Sequence, residues 1–348
     1  MLAGCGASLK QFPFDRGEQT MSVDGLEVTF FGVACFVMRW RGTAILIDPF
    51  FTMLPLLKVG FGKAESDPKQ IDPYLPLLGN VESVLVGHAH YDHVLDLPYI
   101  ANRIRPGADV FGSRTLQHTL APLDLPVSFR TVNDAAASPN QRGMWLTANR
   151  GRVRVLPIQS GHPNNYAFIH LWTRRLTEDR DSPPTRAHHF HEGETFAYLV
   201  DLLEDDGRTV AHRIYVQTSS RGYPDGFFPT EVLDGRQVDI ALLAMDCANI
   251  EARNERSIID ELNPSTVLFC HWENFFRSKD RPPREIVKVN LPKLHEWFEA
   301  DQRADYLFPA WNSRFHFPDP VFQRRGPARI QGHDHHHGHG HGHGHHHH

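Results

Sequence analysis

The chain has 348 residues, 41% of them hydrophobic and 22% charged, which suits one large globular domain or two small ones around a sizeable core. Its formal net charge of −5 gives no general attraction to nucleic acid. No apolar run approaches the roughly 20 residues that span a bilayer, and four cysteines (Cys5, Cys35, Cys247, Cys270) are too sparse for a disulfide framework.

Residues 1–22 are polar and weakly patterned, and read as a tether. Within them Leu2-Ala3-Gly4-Cys5-Gly6 resembles a bacterial lipobox, although no basic or apolar region precedes it. That resemblance implies a lipidated Cys5, membrane association through it, and a cell-envelope or periplasmic location; the alternative is cytoplasmic. A domain over residues 23–320 then opens with strands at Leu26–Gly32, Ala34–Trp40 and Thr43–Pro49, the last two joined by a turn at Arg41-Gly42. Residues 50–80 show no sustained period and are rich in proline and glycine, so they read either as a lid or as a loop packed on the core.

Val81 to Val86 is a short β-branched run expected as a buried strand, and Leu95 to Arg105 has helical spacing that stops at Pro106-Gly107. Between them stands Gly87-His88-Ala89-His90-Tyr91-Asp92-His93. Three histidines and an aspartate thus occupy a strand-to-helix turn, the sheet edge where ligands bind in open α/β proteins. His88 and His90 are two apart, so an extended segment presents both imidazoles to one ion. Asp92 and His93 come as the chain turns into the helix and face a second position. Imidazole and carboxylate donors without thiolate suit zinc, and also iron or manganese.

Further strands are expected at Asp109–Gly112, Met144–Leu146, Arg152–Ile158, Thr195–Leu202, Arg213–Thr218, Ile240–Met245 and Thr266–Cys270. Helices are expected at Ser113–Leu120 with Ser113 as N-cap, Asn254–Leu262 and Leu291–Ala300. Residues 174–194 read as a charged loop that holds His188, His189 and His191. His162 and His271 each follow a strand, and Asp246 ends another. Residues 321–348 form a glycine and histidine tail that cannot build a core; 11 of the chain's 24 histidines lie in residues 333–348. The Gly-His alternation suggests a loosely metal-binding segment rather than a purification tag.

The run from His88 to His93, with the strands around it over about residues 24–317, resembles the metallo-β-lactamase superfamily. The resemblance implies an α/β fold, a four-layer αβ/βα sandwich. It implies one metal held by His88, His90 and His162 and a second by Asp92, His93 and His271. Two departures stand out. Val33 occupies a position where related chains often carry histidine. Thr218, in Gln217-Thr218-Ser219, stands where a Gly-Asp-Thr aspartate would bridge the metals, and a neutral hydroxyl is a poor substitute for that anion. Asp246 is the candidate replacement bridge, with Asp225 behind it. Asp48 and Asp96 are candidates to orient ligand imidazoles.

The implied activity is metal-dependent hydrolysis with one or two ions, zinc first. A zinc-bound water has a pKa near 7, which supplies hydroxide at neutral pH. Asp92 would orient the nucleophile or pass its proton. Asp48-Pro49 and His90-Tyr91-Asp92-His93 look most like the branch with sugar-lactone hydrolases and N-acyl-phosphatidylethanolamine phospholipases D. That implies a small-molecule or lipid-like ester, lactone or phosphodiester, with the apolar stretch Phe50–Phe61 suited to an acyl chain or membrane surface. The rival readings are a non-catalytic metal-handling protein with a metal-buffering tail, an iron-dependent oxygenase, and a nucleic-acid phosphodiesterase, against which the acidic balance counts.

Overall fold

The computed structural model describes residues 8–18, 24–148, 150–163, 172–246, 248, 256–287 and 289–321. Cys5, Cys247 and the histidine-rich tail lie outside the described residues. Two mixed sheets carry the fold. The first is built from β1 (Asp15–Gly17), β2 (Leu26–Gly32), β3 (Cys35–Trp40), β4 (Thr43–Ile47), β5 (Val81–Leu85), β6 (Ala108–Gly112), β7 (Val127–Thr131) and β15 (Pro309–Phe317). Their order is β1-β15-β2-β3-β4-β5-β6-β7. The second holds β8 (Leu146–Thr147), β9 (Val153–Gln159), β10 (Phe196–Leu203), β11 (Val210–Gln217), β12 (Ile240–Ala244), β13 (Thr266–Cys270) and β14 (Asp305–Leu307), in the order β14-β13-β12-β11-β10-β9-β8. Two sheets joined by short helices make the layered α/β sandwich expected from the sequence.

β2 to β5 and β10 to β13 are almost wholly buried, as continuous β-branched and aromatic runs should be in strands covered on both faces. One apolar cluster runs through both sheets. Tyr198 on β10 crosses the seam and donates its hydroxyl to the Val86 carbonyl at 2.7 Å. Direction matters more than composition here. β4, β5, β6 and β7 run parallel, and so do β11, β12 and β13. β9 pairs antiparallel with β10, which pairs antiparallel with β11, so β9 ends on the same edge as β11 to β13. The carboxyl ends of β5, β9, β11, β12 and β13 therefore deliver Gly87, Ser160, Thr218, Met245 and His271 to one seam between the sheets.

Several expectations change. Residues 50–80 are not structureless: helices at Leu56–Phe61, Pro68–Ile71 and Leu75–Leu78 fill them, and Phe50, Phe51, Met53 and Leu54 are buried. Asp96 fixes this segment by accepting from the Phe51 and Thr52 amides at 2.6 and 2.8 Å. The expected helix from Leu95 to Arg105 is instead two short ones, Tyr91–Val94 and Leu97–Ile100. Pro98, which has no N–H to donate, starts the second rather than continuing the first. The helix expected from Asn254 begins at Ile258, where Ser257 Oγ accepts from the Asp260 amide at 3.1 Å; residues 254 and 255 lie outside the described residues. Part of the expected tether is built into the domain, since β1 pairs with β15 and Leu9 is buried. The strand β7 was not expected at all; its mixed composition, Val-Ser-Phe-Arg-Thr, gives no clean alternation.

Candidate metal centre

The centre grows from the turn after β5. Gly87 begins it because nothing larger fits: a Cβ there would lie 2.3 Å from Thr218 Oγ1. The Gly87 amide donates to Asp48 Oδ1 at 2.7 Å, and the Gly87 carbonyl accepts from the Phe196 amide at 2.8 Å, so both sheets grip the turn. His88, His90, Asp92 and His93 are all buried. One ligand nitrogen each from His88, His90 and His162 lies within 4.8 Å of the others, and so do ligand atoms of His88, Asp92 and His93. The His88–His90, His88–His162 and His90–His162 ring centroids are 4.8, 4.9 and 4.9 Å apart.

His271 joins from β13. Its Nε2 is 3.5 Å from Asp92 Oδ2, the same distance as His93 Nε2. The backbone of His271 is left-handed, with φ of 56°, as is that of Val33, with φ of 52°. A β-branched residue rarely adopts that conformation. The two are tied together: the His271 amide donates to the Val33 carbonyl at 2.5 Å, and Glu273 Oε1 accepts from the Val33 amide. The turn between β2 and β3 thus sets the position of a histidine in the other sheet.

Whether these residues suit a metal is decided by their unused atoms. His88 Nδ1 and Nε2, His90 Nε2 and His93 Nε2 are buried with no hydrogen-bond partner. Burying polar nitrogens unsatisfied is costly, and a cation shared among them removes the deficit. The donor set is imidazole and carboxylate, matching zinc, iron or manganese. The electrostatics agree for His88, His90 and His162, whereas Asp92 and His271 form a charged pair that a cation would have to displace. Burial, reinforced by neighbouring imidazoles, pushes His88 and His162 well below the usual histidine range and His90 down to about 4, so all three are neutral at pH 7, the form in which imidazole can bind a cation. Burial opposes the charge on Asp92, but His93 and His271 outweigh it and hold the carboxyl low. For His271, burial is outweighed by the hydrogen bond to Asp92 and by the charges of Asp92 and Asp246, and its pKa rises to about 9.

The remaining candidates separate. Asp48 Oδ2 accepts from His93 Nδ1 at 2.6 Å, which leaves Nε2 to face the centre. Asp96 touches no ligand histidine and serves the backbone of residues 51 and 52 instead. Asp246 lines the central cavity with Asp92, His162 and His271 but joins neither set of clustered ligand atoms. Asp225, the other candidate bridge, is taken up by Arg221, whose Nε, Nη2 and backbone amide contact it at 3.0, 3.0 and 2.8 Å. Thr218 is buried just past the end of β11, with no hydrogen-bond partner on Oγ1, and joins neither set of clustered ligand atoms. Of the loop histidines, His189 accepts from the Thr185 amide at 3.0 Å, while His191 lies near enough for its charge to lower His90. Sequence reading missed Trp172, whose ring is 6.4 Å from that of His90, and the apolar wall of Phe275, Ile286 and Val289. Neither stands beside the histidine motif in the chain, so only the folded seam reveals them.

The β-lactamase superfamily domain matches residues 27–213, more than half of the chain, and the chain belongs to that family. Among curated proteins it is 25% identical over 181 residues to a UPF0173 metal-dependent hydrolase of Polynucleobacter asymbioticus, covering 51% of this chain and 52% of that protein. A UPF0173 metal-dependent hydrolase of Anaeromyxobacter dehalogenans is 29% identical over 143 residues, 40% of this chain and 44% of its own length. The chain spans about half the length of the curated relatives it matches. Among solved structures, an isothiocyanate hydrolase from Delia radicum gut bacteria superposes with a TM-score of 0.51 at 14% identity, covering 84% of this chain and 99% of that one, which shows a shared fold.

Proposed function

We propose that the chain is a metal-dependent hydrolase, with zinc as the first-choice ion, acting on an ester, lactone or phosphodiester. The observation that carries this reading is the convergence of unpartnered imidazole nitrogens on an ionised Asp92 at the seam. His88, His90 and His162 would hold one ion, and Asp92, His93 and His271 a second. Such an ion acidifies water and polarises the bond to be cleaved.

The chain's own groups do the rest. Asp48 accepts a hydrogen bond from Nδ1–H of His93 and so fixes the tautomer that offers Nε2 to the centre. Asp92 Oδ2, 3.5 Å from both His93 Nε2 and His271 Nε2, would orient the attacking water or pass its proton on. Phe275, Ile286 and Val289 wall the cavity and exclude bulk water, which strengthens every polar interaction inside. Asp246 is the carboxylate we assign to support a second ion in place of the missing bridge; its charge already acts on His271.

Metal content per chain, by elemental analysis, tests the reading. The protein for this is best ended after residue 321, because Asp319 accepts from Trp40 Nε1 at 2.8 Å and belongs to the domain. One or two zinc ions with turnover of bis(4-nitrophenyl) phosphate or a lactone is the expected result; metal-free protein from zinc-supplemented growth removes it. The apolar surface for an acyl chain or membrane is narrower than the sequence suggested. Of the large apolar side chains in that stretch only Leu56, Leu57 and Phe61 are exposed, at 40%, 76% and 83%.

A further inference from the structure

The segment after His271 folds back on itself beside the cavity. The Asn274 amide donates to the Arg284 carbonyl at 2.8 Å, and the Ile286 amide donates to the Trp272 carbonyl at 2.9 Å. Phe275 on the outgoing arm and Ile286 on the returning arm both line the cavity with Asp92, His162 and His271. The Phe275 ring is 5.6 Å from the His271 ring. The tip between the arms carries Arg277, Arg281 and Arg284. Arg277 is two residues beyond Phe275 and Arg284 two before Ile286, so their Cα atoms lie within about 8 Å of wall residues.

Several described arginines, Arg103, Arg142 and Arg208 among them, lack an ion pair, but Arg277, Arg281 and Arg284 are gathered on one tip and two of them hold a shielded Nε without an acceptor. Arg39, Arg41, Arg105, Arg154, Arg213, Arg221, Arg236 and Arg303 each have a carboxylate within ion-pair distance. Among the described residues, Arg277, Arg281 and Arg284 have none. Arg277 Nε and Arg284 Nε are shielded from solvent without an acceptor. Burial, and behind it the charges of Arg284 and Arg281, push the Arg277 guanidinium down, so the other two cations lie near enough to act on it. Asp280, the acid on the tip itself, is exposed and makes no ion pair with them among the described residues, and the other nearby carboxylates are engaged elsewhere. Glu285 Oε1 accepts from the Leu291 amide at 2.5 Å, and Glu273 Oε1 serves the Val33 amide and Trp311 Nε1. Lys279 is not part of the cluster, since it turns inward and donates to the Phe31 carbonyl. A chain with a net charge of −5 therefore concentrates unpaired positive charge at the rim of its metal cavity.

We propose that Arg277, Arg281 and Arg284 form an anion-binding site that takes a phosphate or carboxylate group on the non-reacting part of the substrate. This rests on the hydrolase reading for its purpose, but not for its existence. Guanidiniums match both oxyacids through bidentate hydrogen bonds. A substrate carrying that anion would be anchored at the rim while its ester or phosphodiester bond reaches the centre past Phe275 and Ile286.

The test compares the wild type with Arg277→Ala/Arg284→Ala and with Arg277→Lys/Arg284→Lys, all at matched metal content. Calorimetric titration with phenyl phosphate and, separately, phenylacetate reads anion binding without turnover. The alanine variant should bind the preferred anion about tenfold more weakly or worse, and the lysine variant should recover part of the loss at low salt, which a misfolded protein would not do. In kinetics, the ratio of kcat/KM for 4-nitrophenyl hydrogen succinate to that for 4-nitrophenyl acetate should fall by a similar factor in the alanine variant. Phenyl phosphate and phenylacetate decide between the two oxyacids. If the titrations separate the variants but no ester is turned over, the anion site stands and the hydrolase reading fails. Equal titrations and equal ratios in all three proteins overturn the anion site, as does a loss confined to heparin or oligonucleotide binding.

Discussion

The two sheets supply the candidate metal centre in different ways. The first sheet gives four donors from one contiguous stretch, His88 to His93, each buried, with Asp48 of the neighbouring strand end orienting His93 at 2.6 Å. The second gives its groups singly, from the ends of β9, β11, β12 and β13: His162, Thr218, Asp246 and His271. One of these is a neutral hydroxyl at the place where an anion is expected, and another lines the cavity without joining the clustered ligand atoms. The contiguous half is stiff because each donor shares backbone with the next. The dispersed half depends on strand order and on long-range ties such as the His271–Val33 hydrogen bond. It follows that the first half should dominate affinity and the second should set stoichiometry.

The sharpest way to break this contrast is His88→Ala, which removes an imidazole shared by both clusters. Loss of metal and a fall in turnover of about 10³-fold or more, roughly 4 kcal/mol of barrier, is the expected outcome; retained metal and rate would remove the centre from this seam. Next comes Asp48→Asn, which takes away the acceptor on His93 Nδ1. Metal affinity should fall about 10–100-fold, measured by competition with a chromophoric chelator, with the fold intact by circular dichroism. Asp246→Asn should cost about tenfold in the affinity of a second ion alone, leaving the first bound. If both ions weaken together, the two halves are not separable.

Protonation tests the same contrast in the metal-free chain. His90 takes its proton near pH 4 when folded but near 6.5 when unfolded, so the unfolded state binds more protons in that window. Stability should therefore fall as the pH drops from about 6.5 to about 4, with His88 and His162 acting in the same direction. His271 is shifted the opposite way. Its contribution is complete below about 6.5 and is lost as the pH rises to about 9. Urea midpoints at pH 4.5, 6.5 and 8.5 should peak in the middle; a midpoint still rising at pH 8.5 would show that the Asp92–His271 contact does not stabilise the fold. The smallest effect belongs to Leu57→Ser/Phe61→Ser. Both side chains face solvent, so the melting temperature should move by less than about 2 °C, and a larger drop would mean they are packed.

What the sequence made legible follows the same division. The motif could be read because strand, turn and ligands are consecutive, and the β-branched run of β5 announces the strand. His162 and His271 were reachable through resemblance, since a lone histidine after a strand is otherwise weak. The bridge question was not settled by reading residues: Asp225 looked available until Arg221 was seen to occupy it. Residues 50–80 left a lid and a core-packed loop equally open, because an aperiodic apolar stretch fits both; Phe50 and Phe51 fill the core, and only one short helix turns its leucines outward.

The crossing from Val33 to His271 has a mechanical consequence. An ion held by donors near residue 88 and by His271 would close a very long loop of chain, much as a disulfide does, and constrain the unfolded ensemble as well as the native one. Chelation should then do more than stop chemistry. It should unfasten the two sheets, raise the rate of unfolding, and leave refolding to find a long-range contact with no ion to hold it.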